Sequence, residues 1–255
     1  MPGGVRVSRI SHSTRCTSSL PLDSSQALRD AALRRATSCA RQGRPATAVV
    51  ASSRSSVCSG QPSEPPDPAE VTAAGFFGLR PLTDRVVLVL DRSGSMDTAF
   101  EGGARTRYEE ATEQLLALLE SLGPRTRFRV ILFSSEKRVW SDKLRPATPA
   151  NLGLVRTWMG NNGPGGATQL QPAVAAAMRL GSRGQVDLAR LEADTMIVLC
   201  DGATAEGPHW MRPLMEGPNE EACLLFHSVQ IGTAGDGTLE RLAEESEGDF
   251  VRVRG

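Results

Sequence analysis

The chain has 255 residues, 40% of them apolar and 23% charged, proportions of a globular protein slightly on the polar side. Lysine plus arginine and aspartate plus glutamate both number 29. The balance therefore lacks the basic surplus of a dedicated nucleic-acid binder, and no nucleic-acid partner is expected. No run of about 18 apolar residues occurs, so no transmembrane segment is expected either.

The neutral total conceals two unlike segments. Residues 1–75 carry nine arginines, no lysine and five acids (Asp23, Asp30, Glu64, Asp67, Glu70), whereas residues 76–255 carry 20 bases and 24 acids. The first segment reads as a low-complexity Ser/Arg/Ala/Pro-rich tail and linker, irregular apart from a short helix near 23–40. In that helix Asp23 would be the N-cap, Leu28, Ala32, Leu33 and Ala36 a weak apolar stripe, and Gly43 the stop. The four prolines of Pro62–Ala69 favour an extended linker. The apolar stretch of a secretory signal is missing, while the Arg-rich, acid-poor composition is compatible with an organellar transit peptide. The other readings are an irregular tail from a GC-rich genome and a remnant of a helical-hairpin domain.

The five cysteines form no C-x-x-C and no metal-finger spacing. Cys200 ends one predicted strand and Cys223 begins another, which places them roughly 20 Å apart in a parallel sheet, too far for a disulfide. Both are expected as small buried thiols in a reducing compartment. The expected location is cytoplasmic, with an organelle as the alternative if the tail is a transit peptide.

From residue 82 onward strands and helices alternate. Arg85–Asp91 is an apolar run ending in an acid, as expected of a strand buried on both faces. Thr106–Leu122 has helical period, with Tyr108, Ala111, Leu115, Leu118, Leu119 and Leu122 on one side. Phe128–Ser134 is a second buried strand, and Lys137–Ser141 follows too soon for a crossover helix, so it should return antiparallel at the sheet edge. Helices are predicted over Pro149–Met159 and Gln171–Leu180. Asp194–Asp201 is again an acid-ended strand, followed by a Pro-interrupted helix over Glu206–Gly217. A strand over Cys223–Ile231, a helix over Gly237–Ser246 and a short strand over Asp249–Val253 complete the pattern. It predicts an α/β fold: a doubly wound, mostly parallel six-stranded sheet with one antiparallel edge strand and helices on both faces.

Ligands of open α/β sheets bind outside the carboxyl ends of the strands. Two strands deliver an acid there, Asp91 and Asp201. Asp91 is followed by Ser93 and Ser95, alternating with Arg92 and Gly94, so both hydroxyls can face one point from a tight turn. The glycine-rich turn 163–168 can bring Thr168 to the same place. Each piece alone is weak, because Asp and Ser are common turn residues and Thr168 could serve only as a helix N-cap. Together they form an all-oxygen donor set, Asp91, Ser93, Ser95, Thr168 and Asp201. Such a set favours Mg²⁺, with Mn²⁺ or Ca²⁺ also acceptable, over zinc.

Asp91-Arg92-Ser93-Gly94-Ser95-Met96, Gly166-Ala167-Thr168 and Cys200-Asp201-Gly202 resemble the three parts of the metal-ion-dependent adhesion site of von Willebrand factor A-type domains. The resemblance covers residues 82–255. It extends to Ile231-Gly232, to Gly237–Ala243 and to Gly248-Asp249-Phe250, and the stretch Trp140–Asn151 is similar to bacterial intracellular-type members. It implies a Rossmann-like fold in which Ser93, Ser95 and Thr168 contact the metal and Asp91 and Asp201 act mainly through water. Cys200 departs from the Thr or Ser of many members, and Ala167 separates the glycines from Thr168.

If neutral hydroxyls hold the ion, it keeps most of its charge and an open position. The function expected is then a divalent-metal-dependent protein-binding module, not an enzyme, whose Mg²⁺ accepts an Asp or Glu side chain from a partner protein. The alternatives are a Mg²⁺-dependent hydrolase or phosphatase and a scaffold with a purely structural metal. A haloacid-dehalogenase-type phosphatase would need an acid at position 93, a P-loop is absent, and His209 reads as a rim residue. The loop Glu206–Met211 is the expected partner surface, with Trp210 and Met211 near the metal edge. Trp210 packing beneath that loop is the competing possibility, and Trp140 and Trp158 are assigned to core or edge packing.

Overall fold

The computed structural model describes residues 7–9, 77–79 and 83–254. The helix expected near 23–40 and the linker at Pro62–Ala69 lie outside the described residues. In chain order the elements are β1 (Val7–Arg9), β2 (Arg85–Asp91), α1 (Arg107–Leu122), β3 (Arg127–Phe133), β4 (Lys137–Val139), β5 (Arg145–Pro146) and α2 (Pro149–Gly160). They continue with α3 (Gln171–Ala177), β6 (Thr195–Gly202), α4 (Met211–Glu216), α5 (Pro218–Ala222), β7 (Leu225–Ala234), α6 (Thr238–Glu244) and β8 (Phe250–Val253).

The strands form one sheet in the order β1-β8-β7-β6-β2-β3-β4, with β5 also paired to β3. The pairs β8–β7, β7–β6, β6–β2 and β2–β3 are parallel. The hairpin partner β4 is antiparallel to β3, as its short connection requires. The sheet exceeds the six strands read from the sequence by two. The two-residue β5 is too short to leave a periodic signal; it pairs antiparallel with the start of β3. The three-residue β1 comes from the segment read as tail and pairs antiparallel with β8.

Alternation along the central strands sends side chains into two separate cores. Val86, Leu88 and Leu90 of β2 pack with Phe128, Val130 and Leu132 of β3 beneath α1 and α2. Val87 and Val89 pack with Ile131, Phe133, Met196 and Val198 beneath α3, α4 and α6. The core strands are buried along nearly their whole length, which explains their continuous apolar sequences. Trp140 stacks on Phe128 with ring centroids 5.1 Å apart, and Trp158 is partly buried against the same core, as read from the sequence.

The first long helix begins at a reciprocal cap. Thr106 Oγ1 accepts from the Glu109 backbone N–H at 3.2 Å, and Glu109 Oε2 accepts from the Thr106 backbone N–H at 2.8 Å. This satisfies two of the otherwise orphaned donors. Thr106→Ala is therefore expected to cost about 1 kcal/mol and to lower the melting temperature by roughly 2–4 °C, measurable by thermal unfolding followed by circular dichroism.

The cysteine expectation holds for one residue only. Cys200 is a fully buried free thiol. Cys223 is half-buried in a left-handed turn ahead of β7 and is disulfide-bonded. The reading of Cys223 as a buried thiol is thus corrected, and thiol usage carries no argument about compartment.

Candidate metal centre

β2 is an inner strand, flanked by β6 on one side and β3 on the other. The chain leaves β2 toward β3 on one side and β6 toward β7 on the other, the arrangement that opens a crevice between adjacent strands of doubly wound sheets. Asp91 is the last residue of β2 and Asp201 the penultimate residue of β6. Leu90 pairs with Leu199, so Asp91 lies level with Cys200 on the same face. Between Cys200 and Gly202 the register of β6 against β7 shifts, and Asp201 sits in that irregularity, past the regular alternation.

Asp91 has no solvent exposure. Its Oδ1 accepts from the Ser93 backbone N–H at 2.6 Å and its Oδ2 from the Cys200 thiol at 3.0 Å. Burial raises its pKa to about 6 despite these two donors, with Asp201 adding a smaller upward push. Burial and the Asp91 carboxylate also push the Cys200 thiol well up, so it stays protonated and acts as a donor to Asp91. The Ser93 and Ser95 hydroxyls lie 3.0 Å apart. Ser93 is buried and Ser95 exposed, so the pair leads from the interior to the surface. Ser95 Oγ donates to Asp201 Oδ1 at 2.8 Å.

The third segment is pinned to the first by backbone. Gly94 N–H donates to the Gly166 carbonyl at 3.0 Å and Gly165 N–H to the Arg92 carbonyl at 2.7 Å. The Thr168 carbonyl accepts from Ala205 N–H at 2.9 Å, which ties the same turn to the loop after Asp201. Thr168 is half-buried. It does not cap α3, whose N-cap is Leu170, so the simplest bland role for it falls away. The five residues selected from the sequence thus lie on three segments that meet at one end of the sheet. Direct side-chain bonds join Ser93 to Ser95 and Ser95 to Asp201.

Gly166 is shaped for this junction. It has φ +91°, and a Cβ there would sit 2.8 Å from Ser135 Oγ and 3.2 Å from Ser135 N. Ser135 Oγ meanwhile accepts from Ala167 N–H at 2.9 Å. Gly166→Ala combines a conformation costly for an L residue with a contact against backbone. It should lower stability by more than about 1 kcal/mol, read as a lower midpoint in urea unfolding with unchanged slope.

Two contributors escaped the sequence reading. Arg107, the first residue of α1, places NH1 3.0 Å from Asp201 Oδ2, and the Asp201 side chain is only 1% exposed. Its one sequence signal was a basic residue in a helix's first turn, where the helix dipole disfavours positive charge. Arg92 donates from Nε to the Gly163 carbonyl at 2.9 Å and from NH1 to Ser134 Oγ at 3.1 Å, bracing the glycine-rich turn.

The partner-surface role of Trp210 and Met211 is corrected, and the competing possibility for Trp210, packing beneath the loop, is the one found. They are 6% and 1% exposed, packed with Leu214 and Met215 under the sheet face. The apolar spacing Trp210, Met211, Leu214, Met215 is that of a buried helix stripe. His209 is exposed, as are Arg212 and Pro213 on the opposite side of that stripe.

Two buried carboxylates and two linked hydroxyls beside an exposed rim form a candidate site for a divalent cation. Asp91, Cys200 and Asp201 offer ligand atoms within 4.8 Å of one another. The raised pKa of Asp91 marks a buried negative charge short of positive partners, which a cation would relieve.

An open, doubly wound sheet with carboxylates and hydroxyls gathered at its switch point defines a Rossmann-like α/β domain with a candidate metal site. The family model for the von Willebrand factor type A domain matches residues 84–251, and the chain belongs to that family. Inter-alpha-trypsin inhibitor heavy chain H4 of Homo sapiens is 27% identical over 181 residues, 69% of this chain and 19% of that protein. Heavy chain H1 of Bos taurus is 30% identical over 188 residues, 71% of this chain and 20% of that protein. The chain thus spans about a fifth of the length of these relatives. Among solved structures, von Willebrand factor type A from Catenulispora acidiphila matches with a TM-score of 0.53 at 21% identity, over 65% of this chain and 37% of that one. This last likeness is one of fold.

Proposed function

We propose that the domain is a divalent-metal-dependent protein-binding module whose Mg²⁺ site accepts an acidic side chain from a partner protein. Asp91, Ser93, Ser95, Thr168 and Asp201 would hold the ion, which when bound supplies an electrophilic position for a carboxylate. The observation that carries the reading is the Ser93–Ser95–Asp201 chain of oxygens running from the buried strand ends to an exposed hydroxyl.

The charges of the site favour capture of an anion. Asp91 and Asp201 contribute two negative charges, and Arg107 neutralises one of them by direct contact. A divalent cation added to this set leaves a net positive site, so an incoming carboxylate is attracted. Asp91 keeps both oxygens engaged by Ser93 N–H and the Cys200 thiol, which supports a holding role over that of an attacking nucleophile. Of the histidines in the described residues, His227 is bound to Asp249 and His209 lies on the rim. A binding module is therefore favoured over a hydrolase.

Isothermal titration of an aspartate-containing peptide tests the reading. Binding should occur with Mg²⁺ and vanish with chelator. Turnover of a phosphate ester with Mg²⁺, lost in Asp91→Asn, would replace it with the hydrolase reading.

A further inference from the structure

Beside the metal centre lies a cleft of about 290 Å³ lined by Arg107, Asp201, Gly232, Thr233, Ala234 and Arg254. Asp201 divides the two sites. Its Oδ1 receives the Ser95 hydroxyl on the metal side, and its Oδ2 receives Arg107 NH1 on the cleft side. The groups lining the cleft carry two positive charges and one negative, so it keeps a positive surplus after Asp201 is paired.

Arg107 is not used up by that pair. Its Nε is buried and has no hydrogen-bond partner among the described residues. A buried donor left unmatched is costly, while the 20% exposure of the side chain leaves part of the guanidinium open to a ligand in the cleft. Nor does the residue serve its helix, since a cation in the first turn opposes the dipole. Gly232, at φ +85°, leaves the guanidinium lying against bare backbone: a Cβ there would stand 3.6 Å from Arg107 NH2. Arg254 is exposed at the far wall and can meet the same ligand from the solvent side. Planar guanidinium groups bind carboxylates through paired N–H donors.

We infer that this cleft is a second carboxylate subsite, read by Arg107 and Arg254, and that the preferred partner presents two neighbouring carboxylates, one to the metal centre and one to the cleft. The inference rests on the metal-dependent binding proposed above and names the partner's chemistry at that site. One aspartate side chain separates the two subsites, a spacing that neighbouring residues of a peptide can bridge, as consecutive Cα atoms lie about 3.8 Å apart.

The test is calorimetric titration with Mg²⁺ of three peptides: one with a single aspartate, one with Asp-Asp, and one with the two aspartates at opposite ends. Wild type should bind the Asp-Asp peptide about tenfold more tightly than the single-aspartate peptide, and the separated pair should gain little. In Arg254→Gln the Asp-Asp advantage should fall below about threefold, while single-aspartate binding stays unchanged. Arg107→Lys should likewise reduce the advantage, since an ammonium keeps the charge but loses the paired donors. Equal affinity for the adjacent and single aspartates, or an advantage that survives Arg254→Gln, would overturn the second subsite and leave metal-dependent binding standing. Failure of every peptide to bind with Mg²⁺ would overturn both.

Discussion

Replacing Asp91 with asparagine is expected to stabilise the metal-free protein and, at the same time, to abolish its response to Mg²⁺. Asp91 is fully buried, and burial lifts its pKa from 3.8 to about 6. A group whose folded pKa exceeds its unfolded value adds stability below the unfolded pKa and loses that contribution as pH rises through the folded one. Near neutrality the ionised carboxylate therefore costs the metal-free fold, by an amount on the order of 3 kcal/mol at most. The melting temperature of wild type in chelator should rise as pH falls from 7 to about 5, and that rise should disappear in Asp91→Asn. Asp142 and Asp236 are shifted downward, so their own losses fall at lower pH and leave this window clear. The amide can still accept from Ser93 N–H and face the Cys200 sulfur, so the local geometry survives. With Mg²⁺ the order should invert: wild type gains stability by mass action and the variant does not. Differential scanning calorimetry over this pH range, with and without Mg²⁺, reads both effects. A pH-independent wild type would refute the first.

Asp201→Asn should behave oppositely in the absence of metal. Its carboxylate is 1% exposed and paired with Arg107, whose side chain is 20% exposed. Breaking a largely buried pair by removing one member leaves an uncompensated charge, a cost of about 2–3 kcal/mol after allowance for the part-exposed arginine. Two aspartates on adjacent parallel strands, both inside one candidate centre, thus carry opposite signs: one is held against its preference and the other is neutralised. Both variants should lose the Mg²⁺-dependent gain. Urea unfolding in chelator separates them, with Asp91→Asn moving the midpoint up and Asp201→Asn moving it down.

Much of this arrangement was legible from residues alone. β2 and β6 announced themselves as apolar runs ending in acids, because a parallel strand covered on both faces has no polar alternation to obscure it. The close spacing of Phe128–Ser134 and Lys137–Ser141 dictated the antiparallel edge. Ser93 and Ser95 stood out because they follow Asp91 at two and four residues. What escaped notice depended on contacts without local pattern. Arg107 and Asp201 are 94 residues apart, and no periodicity joins them. β5 has two residues and β1 three, below the length at which alternation means anything. The sequence leaves Trp210 open between two roles, and the stripe it shares with Met211, Leu214 and Met215 outweighs the general tendency of aromatic residues to anchor interfaces.

The flank of the sheet at β4 has a consequence for solubility. Lys137, Arg138 and Val139 are all exposed there, and Lys137 is one of only two lysines in the chain. A foreign strand adding itself alongside would have to strip water from cations on both faces of the edge. Positive charge on an outermost strand is a recognised guard against edge-to-edge aggregation, and here it lies on the side of the sheet that ends in the β3–β4 hairpin.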